Sequence, residues 1–291
     1  MQFTKMHGLG NDYVYVNCFE QTVKDPVSLA KTISDRHRGV GADGLILIYP
    51  STVADVKMRI FNADGSEAQM CGNGIRCVAK YAYEHSLGGT RKRFSVPGGD
   101  SFPVSLRVET GRGVLTLGLQ VDKKNKVQQV CVNMGEPILA PARIPVALQG
   151  ESIIEAAIDV QNQRMLMTCV SMGNPHAVFF TDDLSAIELE KIGPVIEHHE
   201  LFPQRVNVHF VKIDSSRQFT MITWERGCGV TLACGTGACA CCVAAVLTNR
   251  CTRIVAANLP GGTLQLNWSQ HDNCVYMTGP ATEVFTGIWP D

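Results

Sequence analysis

The first half of the chain reads Phe61-Asn-Ala-Asp-Gly-Ser-Glu-Ala-Gln-Met-Cys71-Gly-Asn-Gly74, and the second reads Trp224-Glu-Arg-Gly-Cys-Gly-Val-Thr-Leu-Ala-Cys234-Gly-Thr-Gly237. Each segment is an aromatic residue, nine intervening residues and then Cys-Gly-x-Gly, and the two cysteines lie 163 residues apart. The same separation relates Gly10-Asn11 to Gly173-Asn174. It also relates Gly44, which opens Leu45-Ile-Leu-Ile48, to Asn207, which opens Val208-His-Phe-Val211. Three landmarks in one register, without a gap, imply an internal duplication.

Working outward, each half begins with short strand-like runs, Tyr13–Val16 and Ala177–Phe180. These are followed by Leu45–Tyr49 and Val206–Ile213, then by the alternating runs Val56–Phe61 and Gln218–Trp224. Helix-compatible stretches, Val27–Arg38 and Asp183–His198, lie between the first two runs. A helical run follows each Cys-Gly-x-Gly, at Ile75–His85 and Ala238–Leu247. Val104–Val108 and Val114–Leu117 supply further strands. The expected fold class is therefore α+β, with two similar mixed-sheet domains related by duplication, each wrapped around a central helix. The polar stretch Val121–Lys126 is the best candidate boundary, although a solvated hairpin tip fits it equally well. The expected halves are 1–123 and 124–276.

A length of 291 residues suits two domains at about 100–200 residues each. An apolar fraction of 45% with 18% charged residues excludes disordered, collagen-like and coiled-coil classes. The 26 basic residues against 27 acidic ones leave a net charge of −1, so no basic footprint points to nucleic acid. No run approaches the roughly 20 apolar residues of a membrane span, and the first residues do not resemble a secretory signal. A cytoplasmic protein is expected, without nucleic-acid or membrane partners.

The 12 cysteines do not form a disulfide framework. The C-x-x-C from Cys239 to Cys242 is interrupted by Cys241 within a helical run and has no companion pair. It reads as small buried helix residues, with no metal expected. Cys18, Cys131, Cys169, Cys251 and Cys274 sit singly among apolar residues and read as filler. The pattern Gly39-Val-Gly41-Ala-Asp-Gly44 fits a dinucleotide fingerprint by spacing only. A helix-like run precedes it and a strand follows, the reverse of what phosphate binding requires.

Cys71 and Cys234 differ from the other cysteines because each stands just before a helix. The first turn of a helix carries unpaired N–H groups and partial positive charge, which favour a thiolate. The adjoining glycines let backbone approach a carboxylate or phosphate closely. For either cysteine alone, a small side chain packing a helix start is an adequate account; the matched pair favours function. Two such half-sites facing across a cleft would let one thiolate remove an α-proton while the opposite thiol protonates the other face, inverting the centre. Acid–base groups of this kind contribute about 10²–10⁴-fold each.

Lys5-Met-His-Gly-Leu-Gly-Asn11-Asp, Phe61-Asn-Ala-Asp-Gly-Ser-Glu, Met70-Cys-Gly-Asn-Gly, Ser171-Met-Gly-Asn-Pro-His176, Trp224-Glu-Arg-Gly and Ala233-Cys-Gly-Thr-Gly-Ala together resemble the diaminopimelate epimerases. The resemblance runs from the N-terminus to about residue 245. It implies interconversion of LL- and meso-diaminopimelate without pyridoxal phosphate or any other cofactor, in lysine and peptidoglycan precursor synthesis. It also implies a homodimer, an active site in the cleft between the domains, and a C-terminal segment, about 277–291, that returns to the first domain. Carried over by motif, Cys71 and Cys234 are the acid/base residues, while Gly72-Asn73 and Gly235-Thr236 hold the reacting α-carboxylate. Asn11, Asn62, Asn174, Asn207, Glu225 and Arg226 line the substrate pocket, and His176 and Glu225 tune the thiols. His7 and His37 receive no role. The chain departs from some relatives at Gly44, where they carry a substrate-contacting glutamine. The nearest rival is a proline or hydroxyproline racemase of the same fold. A redox or metal-binding protein and a non-catalytic binding module are more distant alternatives.

Overall fold

The alternation in Val56–Asn62 puts Val56, Met58 and Ile60 on one face, and the strand that forms there buries all three. The computed structural model describes residues 1–89, 92–161 and 163–290, divided into two units. Met1–Val96, Asp100–Asn133 and the chain from Thr278 onward form the first; Pro97–Gly99 and Met134–Met277 form the second. Asp291, the last residue of the expected returning segment, lies outside the described residues. No helix among the described residues is long and apolar enough to cross a membrane.

In the first unit, strand Asn11–Asn17 pairs antiparallel with Gln2–Gly8 and parallel with Gly44–Pro50, which pairs antiparallel with Val56–Asn62. Val104–Thr110, Gly113–Val121 and Val127–Asn133 continue the sheet, and Thr282–Ile288 closes onto Gln2–Gly8. Among the described residues, the unit's two helices are α1 (Pro26–Ser34) and α2 (Gly72–Glu84). The sheet curls around α2, which packs against strands from both its ends and is buried at ten positions, while α1 covers the outer face. In the second unit, Pro175–Phe180 pairs antiparallel with Gln163–Ser171 and parallel with Asn207–Ser215, which pairs antiparallel with Gln218–Glu225. There α4 (Gly235–Leu247) is the enclosed helix and α3 (Leu189–Glu197) the outer one.

The duplication survives in the pairing itself. Tyr13 stands opposite Gly44 as His176 stands opposite Asn207, and Leu45 opposite Phe61 as Val208 opposite Trp224. Every one of these positions is shifted by 163 residues between the units. The apolar, small-residue run Ala238–Ala245 makes α4 buried on all sides, and Cys239, Cys241 and Cys242 are fully enclosed within it. Burial pushes the Cys242 thiol up to about 12, which suits an inert packing residue.

Several boundaries depart from the sequence reading; α1, for one, ends at Ser34 rather than Arg38. Asp122 Oδ1 accepts from Lys124 N at 2.8 Å and Lys126 N at 2.9 Å, and Asn125 takes a positive φ of 58°. Residues 122–126 are thus the hairpin between Gly113–Val121 and Val127–Asn133. The chain accordingly stays in the first unit past 123/124 and leaves it at Asn133 and Met134. The second outer helix begins at Leu189 rather than Asp183, because Asp183 Oδ1 binds Ser185 N at 2.9 Å in a local turn.

Glu84 anchors the end of α2 to the returning strand. Its carboxylate accepts from Val127 N at 2.8 Å, Lys126 Nζ at 2.8 Å and Lys80 Nζ at 2.6 Å. Burial disfavours the charge, but these donors more than offset it and hold the acid below its ordinary value of 4.5. A depressed carboxylate stabilises the fold above its unfolded pKa and loses that contribution as pH falls through the folded one. Glu84→Gln should therefore cost about 1–2 kcal/mol at neutral pH. In urea titrations the gap to the parent protein should narrow as pH drops below 4.5.

Candidate active site

An N-cap residue has extended backbone and offers its side chain to the first helical N–H groups. Cys71 takes this place on α2 with φ −135° and ψ 121°, and its sulfur accepts from Gly74 N at 3.4 Å. The thiol faces Asn11 Oδ1 at 3.5 Å. Asn11 is oriented from behind, since its amide nitrogen donates to Asp43 Oδ2 at 2.7 Å. Asp43 in turn accepts from Asp12 N at 3.1 Å and from Arg36 at 2.8 Å. Tyr13 is buried beside the sulfur and hydrogen-bonded to it. Burial, reinforced by charge on Cys71 and Asp43, keeps its phenol protonated. Asn73 is buried in the first turn, and Gly72 O accepts from the fully buried Arg76 at 3.2 Å. The Asn62 amide is engaged by Ser66 Oγ at 2.9 Å, in the turn that ends its strand.

Cys234 is the N-cap of α4, at φ −117° and ψ 104°, and is buried. Its sulfur lies 3.7 Å from Thr236 Oγ1, which receives the Asn174 amide nitrogen at 3.3 Å. Asn174 Oδ1 is 3.0 Å from His176 Nε2. Burial first, then the negative charge of Glu225, push the Cys234 thiol well up, while Thr236 pulls the other way. Glu225 accepts from Thr231 Oγ1 at 2.6 Å. The Asn207 amide is taken at both ends by backbone, giving to Pro175 O at 2.7 Å and receiving Arg226 N at 3.0 Å. Asn207 thereby fixes the corner that presents the exposed Arg226, whose guanidinium also reaches Gln204 O at 3.0 Å.

Around the first thiol the structure gathers Asn11, Gly72 and Asn73. Around the second it gathers Asn174, His176, Glu225, Gly235 and Thr236. Asn62 and Asn207 enter as a turn residue and a backbone clamp. Sequence reasoning misses Asp43, which orients Asn11, and Tyr13, whose strand-like context says nothing of the thiol beside it. It also misses Glu197, a buried carboxylate that binds Trp224 Nε1 at 2.7 Å and Gly227 N at 3.0 Å and so sets the Trp-Glu-Arg-Gly segment. His7 accepts from Gly10 N at 3.2 Å and shapes the turn before Asn11.

A consequence of the Glu225 charge is measurable. Glu225→Gln removes a negative neighbour that opposes the Cys234 thiolate. The pH profile of iodoacetamide alkylation at Cys234, followed by peptide mapping, should shift to lower pH in this variant.

A family model described as diaminopimelate epimerase matches residues 3–140 and 168–284. A diaminopimelate epimerase of Acetivibrio thermocellus is 51% identical over 287 residues, covering 99% of this chain and 98% of the relative. One from Methanococcus maripaludis is 48% identical, with 99% of each chain covered. Among solved structures, a probable proline racemase from Agrobacterium radiobacter is similar at a TM-score of 0.71 and 15% identity, covering 99% of this chain and 92% of that one. A hydroxyproline epimerase from Agrobacterium vitis has a TM-score of 0.65 at 14% identity, with 99% and 90% covered. At such identities the two structures support the fold alone.

Proposed function

The chain belongs to the diaminopimelate epimerase family, and on that premise we propose that it interconverts LL- and meso-2,6-diaminopimelate, with Cys71 and Cys234 as the acid/base pair and no added cofactor. The observation that carries the proposal is that each cysteine is the N-cap of a duplicated helix that opens on Gly-x-Gly. A thiolate in that position is favoured by the helix dipole, and the first-turn amides suit the reacting carboxylate. The thiolate of one cysteine takes the α-proton, and the electron pair left on carbon delocalises into the carboxylate. Gly72-Asn73 and Gly235-Thr236 steady the charge that develops there. The other thiol gives its proton to the opposite face. After turnover the two sulfurs have exchanged protonation states, so their pKa values belong to the pair.

Asn11, Asn174, Glu225 and Arg226 receive the remainder of the substrate in this reading, while Asn62 and Asn207, expected to do so from the resemblance, hold the neighbouring turns. Arg226 is suited to the distal carboxylate through a two-pronged contact, and Glu225 to an ammonium. His176 and Glu225 tune the second thiol. A role in lysine and peptidoglycan precursor synthesis, a cytoplasmic location and a homodimer belong to the same proposal.

The test is incubation of the reduced protein with meso-diaminopimelate in D₂O, followed by proton NMR. Loss of the α-proton signal with appearance of the LL isomer is the expected result. Absence of exchange with reduced thiols, together with racemisation of proline, would overturn the assignment in favour of a proline-type racemase.

A further inference from the structure

The two half-sites differ at positions that the duplication makes equivalent. Residues 13 and 176 are 163 apart, as are 46 and 209. Beside the first thiol these positions are Tyr13 and Ile46; beside the second they are His176 and His209. The second glycine of each Cys-Gly-x-Gly marks the contact. A Cβ on Gly74 would meet Ile46 Cδ1 at 2.7 Å, whereas one on Gly237 would meet His209 Cε1 at 2.3 Å. The space beneath the first helical turn therefore holds an aliphatic side chain in one unit and an imidazole in the other.

That imidazole extends a continuous buried file. His209 Nδ1 is 2.9 Å from Thr223 Oγ1, and its Nε2 is 2.9 Å from His176 Nδ1. His176 Nε2 continues to Asn174, Thr236 and the Cys234 sulfur by the contacts given above. We infer that His209, backed by Thr223, is a positioning residue that fixes the tautomer of His176 and so directs a hydrogen bond onto Cys234. The inference rests on the reading of Cys234 as an acid/base residue.

The direction of the file follows from the orientation of the Asn174 amide, which gives its nitrogen to Thr236. Both rings are fully buried, and burial lowers both pKa values, His209 to about 3, so each ring is neutral with one N–H and one lone pair. Asn174 gives its nitrogen to Thr236, which turns its oxygen towards His176 Nε2, and that nitrogen carries the proton. His176 Nδ1 is then a lone pair and receives the N–H of His209 Nε2. The lone pair on His209 Nδ1 accepts the Thr223 hydroxyl. At the other end Thr236 has received the Asn174 amide, which leaves its own hydrogen available to the thiolate form of Cys234 at 3.7 Å. Reversing either imidazole alone leaves two donors or two acceptors face to face between the rings.

Without His209, only the Asn174 oxygen favours the Nε2–H form of His176, and the proton that His209 gives to Nδ1 is lost. In its other tautomer a lone pair would confront Asn174 Oδ1, the amide would turn over, and the Thr236 hydroxyl would be drawn to Asn174 and away from the sulfur. The thiolate of Cys234 would then lose a donor while still facing the Glu225 charge. Arg226 is the charged group acting on His176.

Nitrogen-15 NMR of the unmodified, histidine-labelled protein tests the file directly. Both His176 and His209 are expected as Nε2–H tautomers through the neutral range, and an Nδ1–H form of either overturns the inference. For turnover, His209→Phe is expected to lower kcat roughly tenfold, the worth of about one hydrogen bond to a charged group. KM should stay within about twofold, and the pH limb belonging to Cys234 should move upward. His209→Gln, which restores an N–H donor near the ring Nε2 position, should recover most of both effects. A folded His209→Phe protein with unchanged kcat and pH profile would contradict the proposal. If that variant does not fold, the tautomers of the unmodified protein decide. They are read whatever substrate the enzyme accepts, so failure here is distinguishable from failure of the epimerase reading.

Discussion

Cys71→Ala should reduce epimerisation by at least about 10³-fold while leaving proton exchange at one face. Inversion needs a base on one side of the α-carbon and an acid on the other, and alanine supplies neither. The remaining Cys234 can still remove the proton of whichever stereoisomer directs it that way, then return a deuteron from solvent to the same face. One isomer should therefore exchange in D₂O with retention of configuration while the other stays inert. Cys234→Ala should show the complementary preference, and the pair of variants assigns each thiol to its stereoisomer. A single-cysteine variant that keeps more than a tenth of the epimerisation rate would remove that cysteine from the acid/base pair. The fold should tolerate both changes, because each N-cap keeps its extended backbone and exchanges one small side chain for another. The Cys71 variant forfeits the sulfur contact to Gly74 N, at a cost of about 1 kcal/mol.

The duplication was legible because it is written in residues that a helix start requires. An extended N-cap followed by glycines leaves a short, unmistakable string, and the strand registers of the two units keep its spacing. What the glycines are for was only half legible. Closeness to a ligand was the sequence reading, whereas Gly74 and Gly237 are pressed from within by Ile46 and His209. That contact depends on a strand that the motif does not contain. The orienting carboxylates Asp43 and Glu197 were invisible for a related reason. A lone acidic residue in a loop or on a helix says nothing of the amide or indole it will meet after folding. The domain boundary was misplaced because a polar turn reads alike whether it joins two strands of one sheet or two domains. Only the pairing of Val127–Asn133 with Gly113–Val121 separates the cases.

Gly44→Ala is expected to destabilise the first unit by about 3 kcal/mol or more, with Gly44→Gln worse. Gly44 opens the central strand between Tyr13 on one side and Asn62 on the other. A Cβ there would lie 2.1 Å from Phe61 O, 2.9 Å from Tyr13 Cε1 and 3.1 Å from Asn62 Cα. Two of those three atoms are backbone of the paired strand and cannot rotate away. Relief requires parting the sheet where it presents Asn11 and Tyr13 to the Cys71 half-site. At about 2–4 °C per kcal/mol for a protein of this size, calorimetry should find the melting temperature lower by roughly 6–12 °C. Activity should fall further than the folded fraction accounts for, because Tyr13 and Asn11 move with the displaced strand. The same crowding excludes any side chain at residue 44, the glutamine that the resemblance would place there included. Here Phe61 O occupies the space a side chain would need. A Gly44→Ala protein that melts within about 2 °C of the parent would mean that the two strands separate at little cost, and that the missing side chain is a matter of substrate fit rather than of packing.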